Sequence, residues 1–287
     1  MTSIRVLSVG TDGSRESLDA ADWAAREALR RGLPLRLVHA ESGQRLAPLP
    51  PDVDLPRRTV LDRTALHLSY THPSLEFLAR RSPRPPAAAL LDAATDSEAL
   101  VLGSRGFTGY TGFLVGSVSL AVTARAPRPV VLVRAGALPQ DEHTPEGAFR
   151  PVVVGLDVTA PADEILSYAF EAAALRAAPL HAVHAWALPP LRADTLGDTL
   201  PGGDAARRET LRRLALSGAL QAWRAKYPEV AVTERLLYGQ PGHHLLKAST
   251  GASLTVIGRR ADSTHLGCTA HSVVHHSTSP VAVVPHT

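Results

Sequence analysis

A single cysteine, Cys268, in 287 residues leaves no partner for an internal disulfide. Long hydrophobic runs are also missing, and none approaches the roughly 20 apolar residues of a membrane-spanning helix. Aromatics make up only 5% of the chain, and no basic block interleaves with them, so no nucleic-acid partner is expected. Neither sign of charge dominates: 30 Lys and Arg stand against 27 Asp and Glu, a formal net charge of +3. Met1-Thr2-Ser3 runs directly into an apolar stretch, without the room a signal peptide needs. These absences set the expectation of a soluble cytoplasmic protein with no membrane partner.

Several chemical signatures are absent as well. There is no GxxxxGK[ST], so no lysine waits for β- and γ-phosphates. No GxGxxG follows the first apolar stretch. His271 and His275 have the i, i+4 spacing that a metal can use, but no acidic residue sits between them, and no metal is expected. No site residue is assigned a catalytic role.

What the chain does have is the stretch from Val101 to Val133. An apolar run ends at Leu102, and a loop with Gly103, Gly106, Gly109, Gly112 and Gly116 follows. Ser117 and Ser119 open a helical pattern that Pro127 and Pro129 stop, and a second apolar run, Val130 to Val133, closes the unit. Gly103 is followed after two residues by Gly106, and after nine more by Gly116-Ser117. Glycines let backbone approach an anion closely, and the first N–H groups of a helix are unpaired. The segment therefore predicts a phosphate cradle. Ser117 and Ser119 suit a phosphate-facing first turn, and they also suit plain helix capping.

The rest of the chain alternates. Ile4 to Gly10 reads as a strand, Thr11-Asp12-Gly13-Ser14 as its exit turn, and Leu18, Ala21, Ala25, Ala28 and Leu29 as one face of a helix that Gly32 ends. Leu35 to Ala40 reads as a second strand, which predicts a right-handed parallel βαβ unit. Ligands of such sheets sit at the carboxyl ends of the strands, where Asp12 and Ala40 fall. Residues 41–56 read as a proline-rich loop, part of 57–70 as a helix, Leu75 to Ala79 as a weak strand, Pro85 to about Ala94 as a helix, and Leu100 to Leu102 as the fourth strand. Residues 135–150 lack periodicity and read as a connector.

The pattern then restarts. Pro151 to Asp157 mirrors Ile4 to Asp12, Leu180 to Ala185 mirrors Leu35 to Ala40, Ser253 to Gly258 mirrors Ala99 to Gly103, and Val281 to Val284 mirrors Val130 to Val133. Asp157 follows Asp12 by 145 residues and Gly258 follows Gly103 by 155. Two tandem α/β domains are expected, 1–136 and 151–287, joined by 137–150. Each is predicted to be a doubly wound, mostly parallel sheet of the Rossmann-like type.

The Gly103-x2-Gly106-x9-Gly116-Ser117 pattern, with Val9 to Ser14 and Leu37 to Ala40, resembles the universal stress protein family in its tandem form. The resemblance covers nearly the whole chain. It implies an adenine-nucleotide α-hydrolase-like fold and an intrachain pseudo-dimer built on the last strand of each half, with a homodimer as a further option. It implies ATP as ligand, with or without magnesium, held by Thr11, Asp12, Ala40, Leu102, Gly103, Ser104, Arg105, Gly106, Gly116, Ser117, Val118 and Ser119. The second half departs from the pattern. Ala261 replaces the second glycine, five residues instead of nine precede Gly267, and Cys268 and Ala270 stand where Ser117 and Ser119 would. Arg259, Arg260 and His265 line that shortened loop, a set that would suit a smaller anion or a purely structural half. The expected function is an ATP-binding stress-response module with little or no catalysis, a weak ATPase at most. The alternatives are a nucleotide-hydrolysing or adenylating enzyme of the same fold, or an interaction protein with vestigial sites. The protein partner and the stress signal stay unnamed.

Overall fold

The computed structural model describes residues 5–40, 59–104, 107–108, 112–113, 116–186 and 202–287. Ile4, the 41–56 loop, Arg105, Gly106 and Gly109 lie outside them. In the first half β1 (Leu7–Gly10), α1 (Arg15–Arg31), β2 (Leu35–Ala40), α2 (Val60–Thr71), β3 (Phe77–Ser82), α3 (Pro86–Thr95) and β4 (Ala99–Ser104) alternate. A two-stranded ribbon, β5 (Phe107–Thr108) and β6 (Gly112–Phe113), precedes α4 (Ser117–Thr123) and β7 (Val130–Arg134). The second half repeats the order with β8 (Val152–Gly155), α5 (Asp163–Arg176), β9 (Leu180–Trp186), α6 (Gly202–Lys226), β10 (Val232–Tyr238), α7 (Pro241–Ser249), β11 (Leu254–Arg260), α8 (Cys268–His276) and β12 (Val281–His286).

The strands form one sheet in the order β10-β9-β8-β11-β12-β7-β4-β1-β2-β3. Every neighbouring pair is parallel except β12 with β7. That single antiparallel pair sets Val131 opposite Ala282, Val130 opposite Val283 and Leu132 opposite Val281. Val131 and Ala282 hold equivalent places in the two halves, so a pseudo-twofold axis passes between them. The sheet is thus two five-stranded parallel sheets joined edge to edge. Pairing hides the apolar edges that Val130–Val133 and Val281–Val284 would otherwise expose.

Helices cover both faces. On one face α1 and α5 bury Trp23 and Phe170 with Leu35, Leu37, Leu166 and Leu180, and this apolar layer runs unbroken through both halves. On the other, a second layer unites Leu90, Leu100, Leu102 and Val122 with Leu245, Ile257 and Val273. Capping explains the start of α1: the Ser14 hydroxyl accepts from the Ser17 N–H, and Gly32, in the left-handed region at φ 61°, closes the helix. Val60 begins α2 behind a capping box of Thr59 and Asp62. No described helix is long and apolar enough to cross a membrane.

The connector does more than join. Pro139–Glu142 forms a 3-10 turn, His143 bridges Phe149, and the Glu142 carboxylate is buried against Arg26 and Arg30 of α1 at 2.8 and 2.9 Å. In the second half Arg212 of α6 lies over the Trp186 ring at 4.5 Å.

Candidate functional site

In the first half β1 stands between β4 and β2, so the chain winds away from it in two directions. The crevice at the carboxyl ends of β1 and β4 is the topological switch point of this sheet. Thr11 and Asp12 leave β1 there. Thr11 is buried, its N–H donates to the Val38 carbonyl at 2.8 Å, and its own carbonyl contacts His39 Nδ1 at 2.7 Å. Asp12 Oδ1 accepts from the Ser14 N–H at 2.9 Å and from the Ser14 hydroxyl at 2.5 Å. Burial pulls the Asp12 carboxyl upward, but the bonds from Ser14 and Ser17 outweigh it and hold it below the usual carboxylate range. Asp12 is therefore a fixed, ionised acceptor at the crevice. Ala40 ends β2, half-buried, and Leu102 is buried beneath the floor.

The glycines of the loop serve different ends. A Cβ on Gly103 would lie 2.5 Å from the Glu16 carbonyl oxygen, so glycine is needed here for the packing of α1 on β4. The sequence alone suggests approach to phosphate at this position, and the backbone of α1 is the closer reason. Gly116 is the opposite case. It caps α4 with an ordinary φ of −59°, and nothing lies within 4 Å of a Cβ built there. Glycine at 116 answers no demand of the surrounding protein, and the space above it is open.

The two hydroxyls also divide. Ser119 donates to the Gly103 carbonyl at 3.1 Å and so ties α4 to the end of β4. Ser117 is exposed at the head of α4 beside Val118, and among the described residues no group pairs with its hydroxyl. Ser104 is turned inward and donates to the Val133 carbonyl at 3.3 Å. Thr11 and Asp12 thus leave β1 beside the end of β4 at Gly103, and the Ser119 bond brings α4, with Gly116 and Ser117 at its head, to the same edge of the sheet, while Arg105 and Gly106 lie outside the described residues.

The second half keeps the frame and changes the lining. Asp157 Oδ1 accepts from the Thr159 N–H at 2.9 Å and its hydroxyl at 2.7 Å, and His184 Nδ1 meets the Leu156 carbonyl at 2.9 Å, as His39 meets Thr11. Burial pulls the Asp157 carboxyl upward, but the bonds from Thr159 oppose it and the net shift is downward. Arg259, Arg260 and His265 are all engaged. Arg259 is buried and donates to the carbonyls of Arg260, Ser263 and Ala126. Arg260 pairs with Asp262 at 2.9 Å, and His265 Nδ1 contacts the Thr264 hydroxyl at 3.0 Å. A smaller anion would have to displace these bonds. His271 and His275 stack at 4.2 Å, and no group of three or more metal-ligating side chains occurs among the described residues. Sequence reasoning missed the inward turn of Arg259 and the paired roles of His39 and His184. The second was legible, because each histidine is the penultimate residue of its matching stretch, Leu35 to Ala40 and Leu180 to Ala185.

Fold and crevice together define a tandem, doubly wound α/β protein whose halves differ in the lining of their glycine loops. The chain belongs to the universal stress protein family, whose model matches residues 4–134 and 148–285. It is 32% identical over 279 residues to universal stress protein Rv2623 of Mycobacterium tuberculosis, covering 92% of this chain and 90% of that one. A crystal structure of a universal stress protein from Archaeoglobus fulgidus superposes with a TM-score of 0.62 at 18% identity, covering 100% of both chains, a likeness of fold. A second Archaeoglobus fulgidus universal stress protein, solved in complex with dAMP, matches 47% of this chain and 98% of its own at 19% identity and a TM-score of 0.30.

Proposed function

We propose that this universal stress protein binds ATP in its first half and acts as a regulatory module with little or no catalysis of its own. The observation that carries the reading is the contrast between the halves. Gly116 and Gly267 alike have open space above them, but at the first crevice the head of the helix carries the Ser117 hydroxyl, which lacks a described partner. At the second, Cys268 replaces the serine and Arg259 occupies the loop with its own hydrogen bonds. Membership of the family supports an adenine nucleotide as the ligand. Asp12, Thr11 and Ala40 would meet the base and sugar, and Gly103, Ser104, Gly116, Ser117, Val118 and Ser119, with Arg105 and Gly106, the phosphates. Magnesium would arrive with the nucleotide. Apart from Asp12, already held by Ser14, no assigned site residue is a candidate general base, and phosphoryl transfer needs a positioned nucleophile as well.

Titration calorimetry of the whole chain with ATP should give one site. With Ser119 engaged by Gly103, the hydroxyl donor the second half lacks is that of Ser117, and its loss at about 1 kcal/mol alone makes that half roughly fivefold weaker. A hydrolysis assay on the same sample should show turnover well below about 1 per second. Two equivalent sites, or brisk hydrolysis, would overturn the reading.

A further inference from the structure

We propose that Arg259, in the second half, is a positioning residue for the nucleotide crevice of the first half. The inference rests on the ATP-binding reading above. Only 5% of Arg259 is exposed, and its guanidinium spans the boundary between the halves. Nη1 donates to the carbonyls of Arg260 at 3.0 Å and Ser263 at 3.1 Å, both on its own loop. Nη2 donates to the Ala126 carbonyl at 2.6 Å, 133 residues earlier in the chain.

Ala126 lies just beyond α4, and its own N–H donates to the Val122 carbonyl, so it continues the helix's last turn. The helix is gripped mainly at this end. Val122, Thr123, Ala124 and Ala126 are buried, whereas Ser117 and Val118 at the head are exposed. Between head and tail the described side-chain tie to β4 is the Ser119 hydroxyl on the Gly103 carbonyl. A short helix held at its tail swings as a unit, so the tail sets where Gly116 and Ser117 stand relative to Asp12. Arg259 fixes that tail from across the boundary.

The equivalent position in the first half is used differently. Ser104 holds the place in β4 that Arg259 holds in β11, and its hydroxyl donates within its own half, to Val133. Among the described residues, the first half sends no equivalent arm into the second from this position. The shortened 261–267 loop, whose Ser263 carbonyl accepts from Arg259, is the platform that aims this guanidinium. Its degeneracy is a working feature: the second half has exchanged ligand binding for control of the first half's geometry.

The test compares wild type, Arg259→Met and Arg259→Lys by calorimetry with ATP and, in parallel, with adenosine. Arg259→Met should bind ATP about five- to tenfold more weakly, in the range of couplings carried through packed neighbours. Its affinity for adenosine, which has no phosphate to meet Ser117, should stay within about twofold of wild type. Arg259→Lys keeps one charged donor and should recover part of the ATP affinity. If Arg259→Met does not fold, Arg259→Lys alone decides, since lysine cannot serve both loops at once and should still lower ATP affinity selectively. Unchanged ATP affinity in a folded variant, or an equal loss for ATP and adenosine, would overturn the inference while leaving the ATP reading intact. A wild-type chain that binds no ATP would remove the ATP reading and this inference together.

Discussion

Two glycines of the same loop show how differently one residue type can be used. At Gly103 a methyl group would meet the backbone of Glu16, and backbone in the first turn of α1 cannot step aside cheaply. Gly103→Ala should therefore destabilise the protein by about 1–3 kcal/mol through overpacking, read by urea unfolding. At Gly116 a side chain meets nothing, φ is ordinary, and the residue is the N-cap of α4. Aspartate is among the best N-caps, so Gly116→Asp should fold at least as stably as wild type. The new carboxylate would nonetheless stand where phosphate is expected, and ATP affinity should fall at least about tenfold, roughly 1.4 kcal/mol. Stability and affinity moving in opposite directions is the distinguishing result. If Gly116→Asp binds ATP as wild type does, the loop is not the phosphate site.

At the level of elements, the repeat itself supplies an experiment. Gly32 closes α1 in the left-handed region, and 145 residues later Ala177 closes α5 in the same region, at φ 47°. Alanine there carries a steric penalty that glycine avoids, about 1–2 kcal/mol. Ala177→Gly should raise stability by about 1 kcal/mol once glycine's larger unfolded-state entropy is set against the relief, seen as a higher midpoint in denaturant. No change, or a loss, would mean that the second half tolerates the left-handed cap without strain. Elements bounded by local chemistry were legible beforehand. Ser14 and Gly32 mark α1, Pro86 opens α3, and Pro127 and Pro129 separate α4 from β7. Elements decided by distant partners were not. The third strand, expected to end at Ala79, runs through Arg80 and Arg81 to Ser82, because on a sheet edge such side chains face solvent. The connector reads as featureless, yet Glu142 docks on Arg26 and Arg30, residues more than 110 positions away that no local pattern could name. The crevice was legible as a set of residues, but not in its division of labour: Ser119 and Gly103 hold the scaffold together, and Ser117 and Gly116 face the open side.

Across the whole molecule the halves meet along two seams of opposite character. One is the apolar β7–β12 pair. The other lies between α1 and α5, where Glu27 accepts from Arg176 at 2.5 Å, Arg31 at 2.7 Å and Arg30 at 2.8 Å, and Arg31 reaches on to Glu171. The ion pairs run reciprocally, an arginine near each helix end meeting a glutamate of the other half. Arg31 also lies over the Tyr168 ring, whose hydroxyl burial pushes up to about 12. Burial alone would raise the Glu27 carboxyl, but Arg176, Arg31 and Arg30 overcome it and hold the carboxyl far below its ordinary 4.5. A group lowered on folding adds stability that is complete above its unfolded value and is lost as pH falls through the interval down to its folded value. Wild type should therefore lose stability steadily on acidification below about pH 5. Glu27→Gln strands the buried Arg176 guanidinium and should cost about 3–5 kcal/mol at pH 7. The same variant has no carboxyl to titrate at this seam, so its deficit should shrink as pH falls. Urea unfolding at pH 7, 5 and 3 measures both curves. If they run parallel, the ionic seam contributes no pH-dependent hold between the halves, and the β7–β12 pair together with the continuous apolar layer must carry the joint alone.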